Sequence, residues 1–244
     1  MAILLAAGVA GALPLRAQSP AFEVATIKPN HGNGNRSPSR YPSLQNGTLT
    51  AENVSLKTLL GVAYGLSTVR ITGPAWIDSD RFDLAGKAPE GVPDTEVMPL
   101  LQNLIKDRFH AEVHLETKEM LAYEMTVTKD GLKIQPFEAE HPPVTPQNRG
   151  GSLLIGVATM PQIADALARA AERPVVEKTG IAGRYSYILS FTPFSARAPD
   201  SRADLAPPDL FTAVQQQLGL KLESKKEPIE ILVVDRAERV PIEN

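Results

Sequence analysis

The chain reads as an α+β protein made of two tandem βαββαββ units, each with short antiparallel or mixed sheets packed on two helices. Three observations predict this. Short alternating segments that read as strands are interleaved with segments whose apolar residues recur at helical spacing. A Pro- and Gly-rich stretch at 136–151 separates two halves. The order of elements after that stretch repeats the order before it, which predicts an internal duplication.

Residues 21–28 alternate and predict an extra N-terminal strand; 29–47, crowded with Pro, Asn, Gly, Ser and Arg, predict a loop. Residues 48–53 predict a short strand. Ser55 is then placed to cap a helix whose Leu56, Leu59, Leu60, Ala63 and Tyr64 form one stripe. Residues 69–72 predict a strand entering a turn at Gly73-Pro74, and 81–88 alternate with Phe82 and Leu84 on one face. Thr95 is placed to cap a second helix, with Leu100, Leu101, Leu104 and Ile105 facing inward. Two strands, 111–117 and 121–128, close the first unit, and Asp130-Gly131 turns beyond them.

In the second half 152–157 predict a strand. Thr159 caps a helix carrying Met160, Ile163, Ala164 and Leu167 on one stripe. Val175-Val176 begin a strand, and 184–192 alternate with Tyr185, Tyr187, Leu189 and Phe191 on one face. Asp209 starts a helix with Leu210, Phe211, Val214 and Leu218 that stops at Gly219. Strands at 220–224 and 229–234 end the chain. Ser55 corresponds to Thr159, Leu59 to Ile163 and Arg81-Phe82 to Arg184-Tyr185. The expected organisation is a signal peptide at 1–17, a first lobe at 18–135 with the extra strand and loop, a linker at 136–151 and a second lobe at 152–244.

Composition limits the function. The 244 residues are 43% hydrophobic and 22% charged, enough apolar material for a core. A net charge of -3 argues against a nucleic-acid partner held by a general basic field. With no Cys, disulfides, thiolate metal sites and Cys nucleophiles are excluded. Residues 1–17 are an apolar run too short for an ordinary membrane-spanning helix, and Leu15-Arg16-Ala17 has the outline of a cleavage site. The mature chain is therefore expected to be secreted or periplasmic, with no membrane span.

Two groups of residues are candidates for a site. Gly73 to Leu84 holds the single Trp and three Asp around an Arg. Trp76, Asp78, Asp80 and Arg81, with Arg184 as the counterpart in the second half, are the candidate binding residues, since aromatics and Arg anchor interfaces. The same carboxylates are also suited to turn caps braced by Arg81. Because Arg184 recurs without acidic neighbours, the Arg-aromatic pair is expected to be scaffold. His110, Glu112 and His114, followed by Glu116, are weak metal candidates: on a strand they share one face, but the opposite face (Ala111, Val113, Leu115) is that of an ordinary half-buried strand. No metal or other cofactor is expected. There is no Gly-x-Ser-x-Gly elbow, Ser-x-x-Lys, His-Glu-x-x-His or P-loop.

Two resemblances add to this reading. Met160-Pro-Gln-Ile-Ala-Asp-Ala-Leu-Ala-Arg-Ala-Ala, Leu210-Phe-Thr-Ala-Val-Gln-Gln-Gln-Leu-Gly-Leu-Lys-Leu and Ile229-Glu-Ile-Leu-Val-Val resemble the short N-terminal domain of secretins and TonB-dependent transducers, which implies a periplasmic docking and signalling role. Gly47-Thr-Leu-Thr-Ala-Glu-Asn-Val-Ser-Leu, Gly73-Pro-Ala-Trp-Ile-Asp-Ser-Asp-Arg-Phe-Asp, Asp107-Arg-Phe-His-Ala-Glu-Val-His-Leu-Glu-Thr-Lys-Glu, Thr179-Gly-Ile-Ala-Gly-Arg-Tyr and Gln217-Leu-Gly-Leu-Lys-Leu-Glu-Ser resemble the secreted "soil-associated" family expanded in soil Acidobacteria. That resemblance implies export and architecture but supplies no catalytic residues. The expected function is a non-enzymatic binding or signalling module that docks a protein or cell-envelope partner. The alternatives are an extracellular hydrolase using the acidic cluster near Trp76 or the His110–Glu116 face, and a structural component of an envelope assembly.

Overall fold

Two long strands organise the chain. In the computed structural model, which describes residues 20–32, 40–137, 152–193 and 207–242, β6 (Glu112–Val127) pairs antiparallel with β11 (Leu220–Arg236) along almost their whole length. The signal peptide expected at 1–17 and most of the expected linker lie outside the described residues. Each long strand replaces two short ones expected from the sequence. Between 112 and 127 there is no Gly, Pro, Asn or Asp to stop β6. In β11, Pro228 suggests a break, but the strand runs through it, opposite Glu119. A proline has no N–H to give a ladder, so it is tolerated where that group would point to an unpaired edge. The far edge of β11 is paired only at Leu232 and Val233, so Pro228 meets that condition.

The elements before β6 are β1 (Val24–Pro29), β2 (Arg40–Gln45), β3 (Thr48–Val54), α1 (Leu56–Tyr64), β4 (Ile71–Thr72), α2 (Trp76–Ser79), β5 (Phe82–Lys87) and α3 (Val97–Phe109). After it come β7 (Gln135–Pro136), β8 (Ser152–Ala158), α4 (Met160–Ala171), β9 (Val175–Glu177), β10 (Tyr185–Phe191) and α5 (Leu210–Ala213), which continues as a π-helical stretch Val214–Leu218 into β11. The sheets run β1-β5-β3-β2, β7-β10-β8 and β4-β11-β6-β9. In the third sheet β4 lies parallel to β11, and β9 lies parallel to β6, so each half lends a short strand to the long strand of the other.

Several local signals act as expected. Ser55 Oγ accepts from Thr58 N at 3.1 Å and starts α1; Asp209 accepts from Phe211 N and Thr212 N and starts α5. Others differ. Residues 68–70 form a 3-10 turn, leaving only Ile71 and Thr72 as strand. The helix expected to be capped by Thr95 is entered through a 3-10 turn at Asp94–Glu96, with no side-chain cap.

Apolar faces meet in two main cores. The first joins Leu49, Leu56, Leu59, Phe82, Leu101, Ile105 and Phe109 with Leu232 and Val234 of β11. The second joins Met160, Ile163, Leu167, Leu189, Leu210 and Leu218 with Met125 of β6 and Leu220 of β11. Val234, Leu232, Met125 and Leu220 lie on one face of the ribbon, as the pairings Val234↔Val113, Leu232↔Leu115, Leu222↔Met125 and Leu220↔Val127 require. One face of one ribbon thus enters both cores, at opposite ends.

Candidate functional site

The turn from α2 into β5 supplies Asp80 and Arg81 to a cleft of about 530 Å3. The segment after β1 adds Asn30, His31 and Gly32, β3 adds Asn53, and the tail after β11 adds Arg239 and Val240. Asn53 sits where β3 and β5 slip register, with φ of 55°; Asn tolerates that left-handed conformation better than most residues.

Electrostatics set the shape of this cleft. Arg239 donates through Nε to Asp80 Oδ2 at 2.6 Å and through Nη2 to Oδ1 at 3.1 Å, and Ser79 Oγ donates to the same Oδ1 at 3.1 Å. The hydrogen bonds from Arg239 hold the Asp80 carboxyl below the usual carboxylate range. Asp83 is also engaged: its Oδ1 accepts from Asn30 Nδ2 and from Asn53 N, both at 2.8 Å. Arg81 is not. Among the described residues its Nε is buried without a partner, and its side chain has no hydrogen bond or ion pair. A buried donor left unpaired costs about 1–3 kcal/mol.

The other expected site residues are spread out. Trp76 packs toward Phe109, ring centroids 6.4 Å apart, at the edge of the first core and away from the cleft lining. Asp78 lies 3.9 Å from Lys57 on the surface. Arg184 belongs to the other half: Nη2 reaches Val157 O at 3.5 Å and the guanidinium lies over the Phe137 ring at 5.6 Å. The structure therefore unites Asp80 with Arg81 and separates them from Trp76, Asp78 and Arg184. The metal candidates take different partners. His110 is not on the strand but is the left-handed cap of α3, and its Nδ1 lies 3.0 Å from Glu238. His114 Nδ1 meets Asp235 Oδ2 at 2.7 Å, a bond that raises the imidazole above its ordinary pKa, and Glu112 sits at the start of β6 opposite Arg236. No group of three or more His, Cys, Asp or Glu is arranged to hold a metal among the described residues.

Asn30, Asn53 and Arg239 complete the cleft without any signal in the sequence. Each belongs to a different segment, and Arg239 reaches Asp80 across 159 positions, so no local spacing announces the group.

A second feature is the edge formed by β8, with the sequence Ser-Leu-Leu-Ile-Gly-Val-Ala. It is the outer strand of β7-β10-β8, and it carries no charge and no Pro. The edges β1 and β2 carry Lys28 and Pro29, and Arg40 and Pro42 with a register slip; β4, β7 and β9 are only two or three residues long. These are ways to blunt an edge, and β8 has none of them. The opposite edge of β10 is plugged: Ser190 N donates to Gln217 Oε1 at 2.9 Å, and Gln217 Nε2 donates to Ser190 O at 2.8 Å.

Residues 57–237 match the model of the family described as Protein of unknown function (DUF3738). The chain belongs to this family. The match starts within α1 and ends just past β11, so it takes in the second core, the whole ribbon and the part of the first core that follows Leu56, and stops just before Arg239. No curated protein and no solved structure matches. No helix among the described residues of this DUF3738 member is long and apolar enough to cross a membrane.

Proposed function

We propose that this DUF3738 chain is a secreted or periplasmic binding module, not an enzyme, and that it docks a protein or cell-envelope partner by strand addition at β8. The observation that carries this is the contrast between the seven uncharged residues of β8, whose outer side pairs with no strand among the described residues and is met only at Val157 O by Arg184, and the blunted edges elsewhere. An extended segment laid along β8 would gain main-chain hydrogen bonds, and Ile155, 36% exposed, would meet its side chains. Export is supported by the apolar run at 1–17 and the cleavage-site outline of Leu15-Arg16-Ala17. Fractionation of the full-length chain that leaves it in the cytoplasm, uncleaved, would overturn that part.

The docking test places a photo-crosslinking residue at Ile155 and, as a control, at Thr126 of β6, in cells making the full chain. The expected result is a discrete adduct at Ile155 only, lost when Leu153 is changed to Lys. Equal adducts at both positions, or none at Ile155, would sink the reading. Hydrolysis at the acidic cluster is disfavoured by the Asp80–Arg239 pair, which keeps that carboxylate ionised and occupied. A hydrolase screen in which Asp80→Ala abolishes turnover would reverse the ranking.

We also read the two halves as copies of one unit. Support comes from the order strand-helix-strand-strand-helix-strand, shared apart from the one-turn α2 of the first half, and from the third sheet: exchanging β4 with β9 and β6 with β11 turns β4-β11-β6-β9 into itself, about the pair Glu119↔Pro228. Backbones of 48–127 and 152–236 that fail to superpose would refute this.

A further inference from the structure

We propose that the cleft beside Asp80 binds a monoanionic carboxylate, with Arg81 as its anchor. The site is separate from the β8 edge, and either reading stands if the other fails.

Arg81 lacks the partners that its neighbours in sequence would offer. Two carboxylates flank it in sequence, Asp80 before it and Asp83 two residues after it, on the same side of an extended strand. Both are occupied elsewhere. Asp80 is clamped through both oxygens by Arg239, and Asp83 accepts from the Asn30 side chain and the Asn53 backbone. By contrast Arg70, Arg108, Arg184 and Arg239 each find an oxygen within 3.5 Å. Arg81 has no such acceptor, its Nε is buried, and it lines the cleft. A guanidinium kept from its two nearest carboxylates and facing a cavity is a donor set waiting for an acceptor.

Charge and size then select the ligand. Among the described residues, the charged side chains lining the cleft are Asp80, Arg81 and Arg239, whose formal charges leave one positive in excess. That excess suits a single negative charge. A phosphate dianion would place its second charge near Asp80, and juxtaposed like charges are unfavourable. A carboxylate matches the planar fork of Arg with two parallel hydrogen bonds. The volume of about 530 Å3 falls within the range of about 300–1,000 Å3 usual for small-ligand sites, so room remains for the body that carries the carboxylate. His31 and Asn30 line the same wall and give it polar character.

The experiment titrates the full mature chain by calorimetry with N-acetyl-Ala-Ala bearing a free C-terminus, with its C-terminal amide, with acetate and with inorganic phosphate. Saturable binding of the free acid is expected, with the amide at least about tenfold weaker, as expected for loss of a charge-assisted pair. Arg81→Gln should weaken the acid by about tenfold or more. Asp80→Asn should strengthen it by a few-fold, because it removes the neighbouring negative charge and releases the Arg239 fork. A purely structural role for Arg81 would not produce that gain. Acetate binding as tightly as the dipeptide would identify the source as a free organic acid; dipeptide binding tighter than acetate would identify a peptide terminus. Should Arg81→Gln fail to fold, Arg81→Lys keeps the charge without the fork and should bind the acid more weakly than the parent chain. The proposal is overturned by no saturable binding of either acid, by equal binding of acid and amide, by tighter binding of phosphate, or by Arg81 variants that are folded and bind like the parent.

Discussion

The corner that leads from a helix into a long strand occurs once in each half, built differently. At the end of α3 the left-handed residue is His110, with φ of 45°; at the end of the helix before β11 it is Gly219, with φ of 71°. His110 has space for its side chain and uses it to meet Glu238. At Gly219 a Cβ would lie 2.2 Å from the carbonyl oxygen of Gly131 and 2.7 Å from Lys133 N, because the turn after β6 packs against the corner. Lys133 N donates to Leu218 O and Thr128 N donates to Gly219 O, so that turn is locked in place. The same backbone requirement thus leaves freedom of residue type on one side and none on the other. What decides is the neighbouring chain.

The largest predicted effect tests that difference. Gly219→Ala should destabilise the chain by about 3–5 kcal/mol, since backbone must move to admit the methyl group, whereas His110→Gly should change stability by less than about 1 kcal/mol. Chemical denaturation of both variants checks this, and equal effects would remove the contrast.

Next comes the ribbon. Met125→Ala in the second core and Leu232→Ala in the first should each lose about 2–5 kcal/mol. Trp76, the only Trp, reports on the first core through its packing toward Phe109. If the ribbon couples the cores, Met125→Ala will lower the midpoint of the Trp76 fluorescence transition as far as that of circular dichroism. Separate midpoints would mean that the cores unfold independently.

Two smaller effects concern charge pairs attached to the first core. The pKa of Asp80 is lowered in the folded chain, so its pair with Arg239 contributes stability above the ordinary carboxylate value of 3.8 and loses it as pH falls through the depressed one. The gap in melting temperature between the parent chain and Asp80→Asn should therefore be constant near neutrality and close in acid. For His114 the sign is opposite. Asp235 raises its pKa, so its contribution is present in full below the ordinary value of 6.5 and is lost as pH rises through the raised one. The gap between the parent and His114→Ala should shrink on the alkaline side, and by less than at Asp80, because His114 is 50% exposed whereas Asp80 is 22% exposed.

Comparison of the two arginines at the strand entries explains why the site was only partly legible. Arg81 and Arg184 look alike in sequence, each followed by an aromatic and an alternating strand. One is unpaired in a cleft; the other reaches Val157 O and lies over Phe137. Asp80 and Arg81 could be picked out because charged residues crowd a turn there. Trp76 and Asp78 drew attention for the same reason, yet one turn of α2 carries them away from the cleft. The metal candidates shared a face only on the assumption that the strand began before His110, whereas the helix cap turns that residue to Glu238.

By itself the sequence determined the α+β class, the helix stripes at Leu56–Ala63 and Met160–Leu167, the caps Ser55 and Asp209, and the stop at Gly219. These depend on periodicity and on short-range hydrogen bonds, which neighbouring residues encode. Tertiary structure decided the rest: that β6 and β11 run unbroken into both cores, that Pro228 can sit within a strand because its edge there is unpaired, and that the Arg81 side chain lacks a partner among the described residues. Each of these depends on what a distant segment places alongside, namely β4 at Leu232, Asn53 at Asp83 and Arg239 at Asp80. Pairings across 30 to 161 positions leave no local pattern, so the unpaired charge that marks the candidate site emerges only when the chain has folded around it.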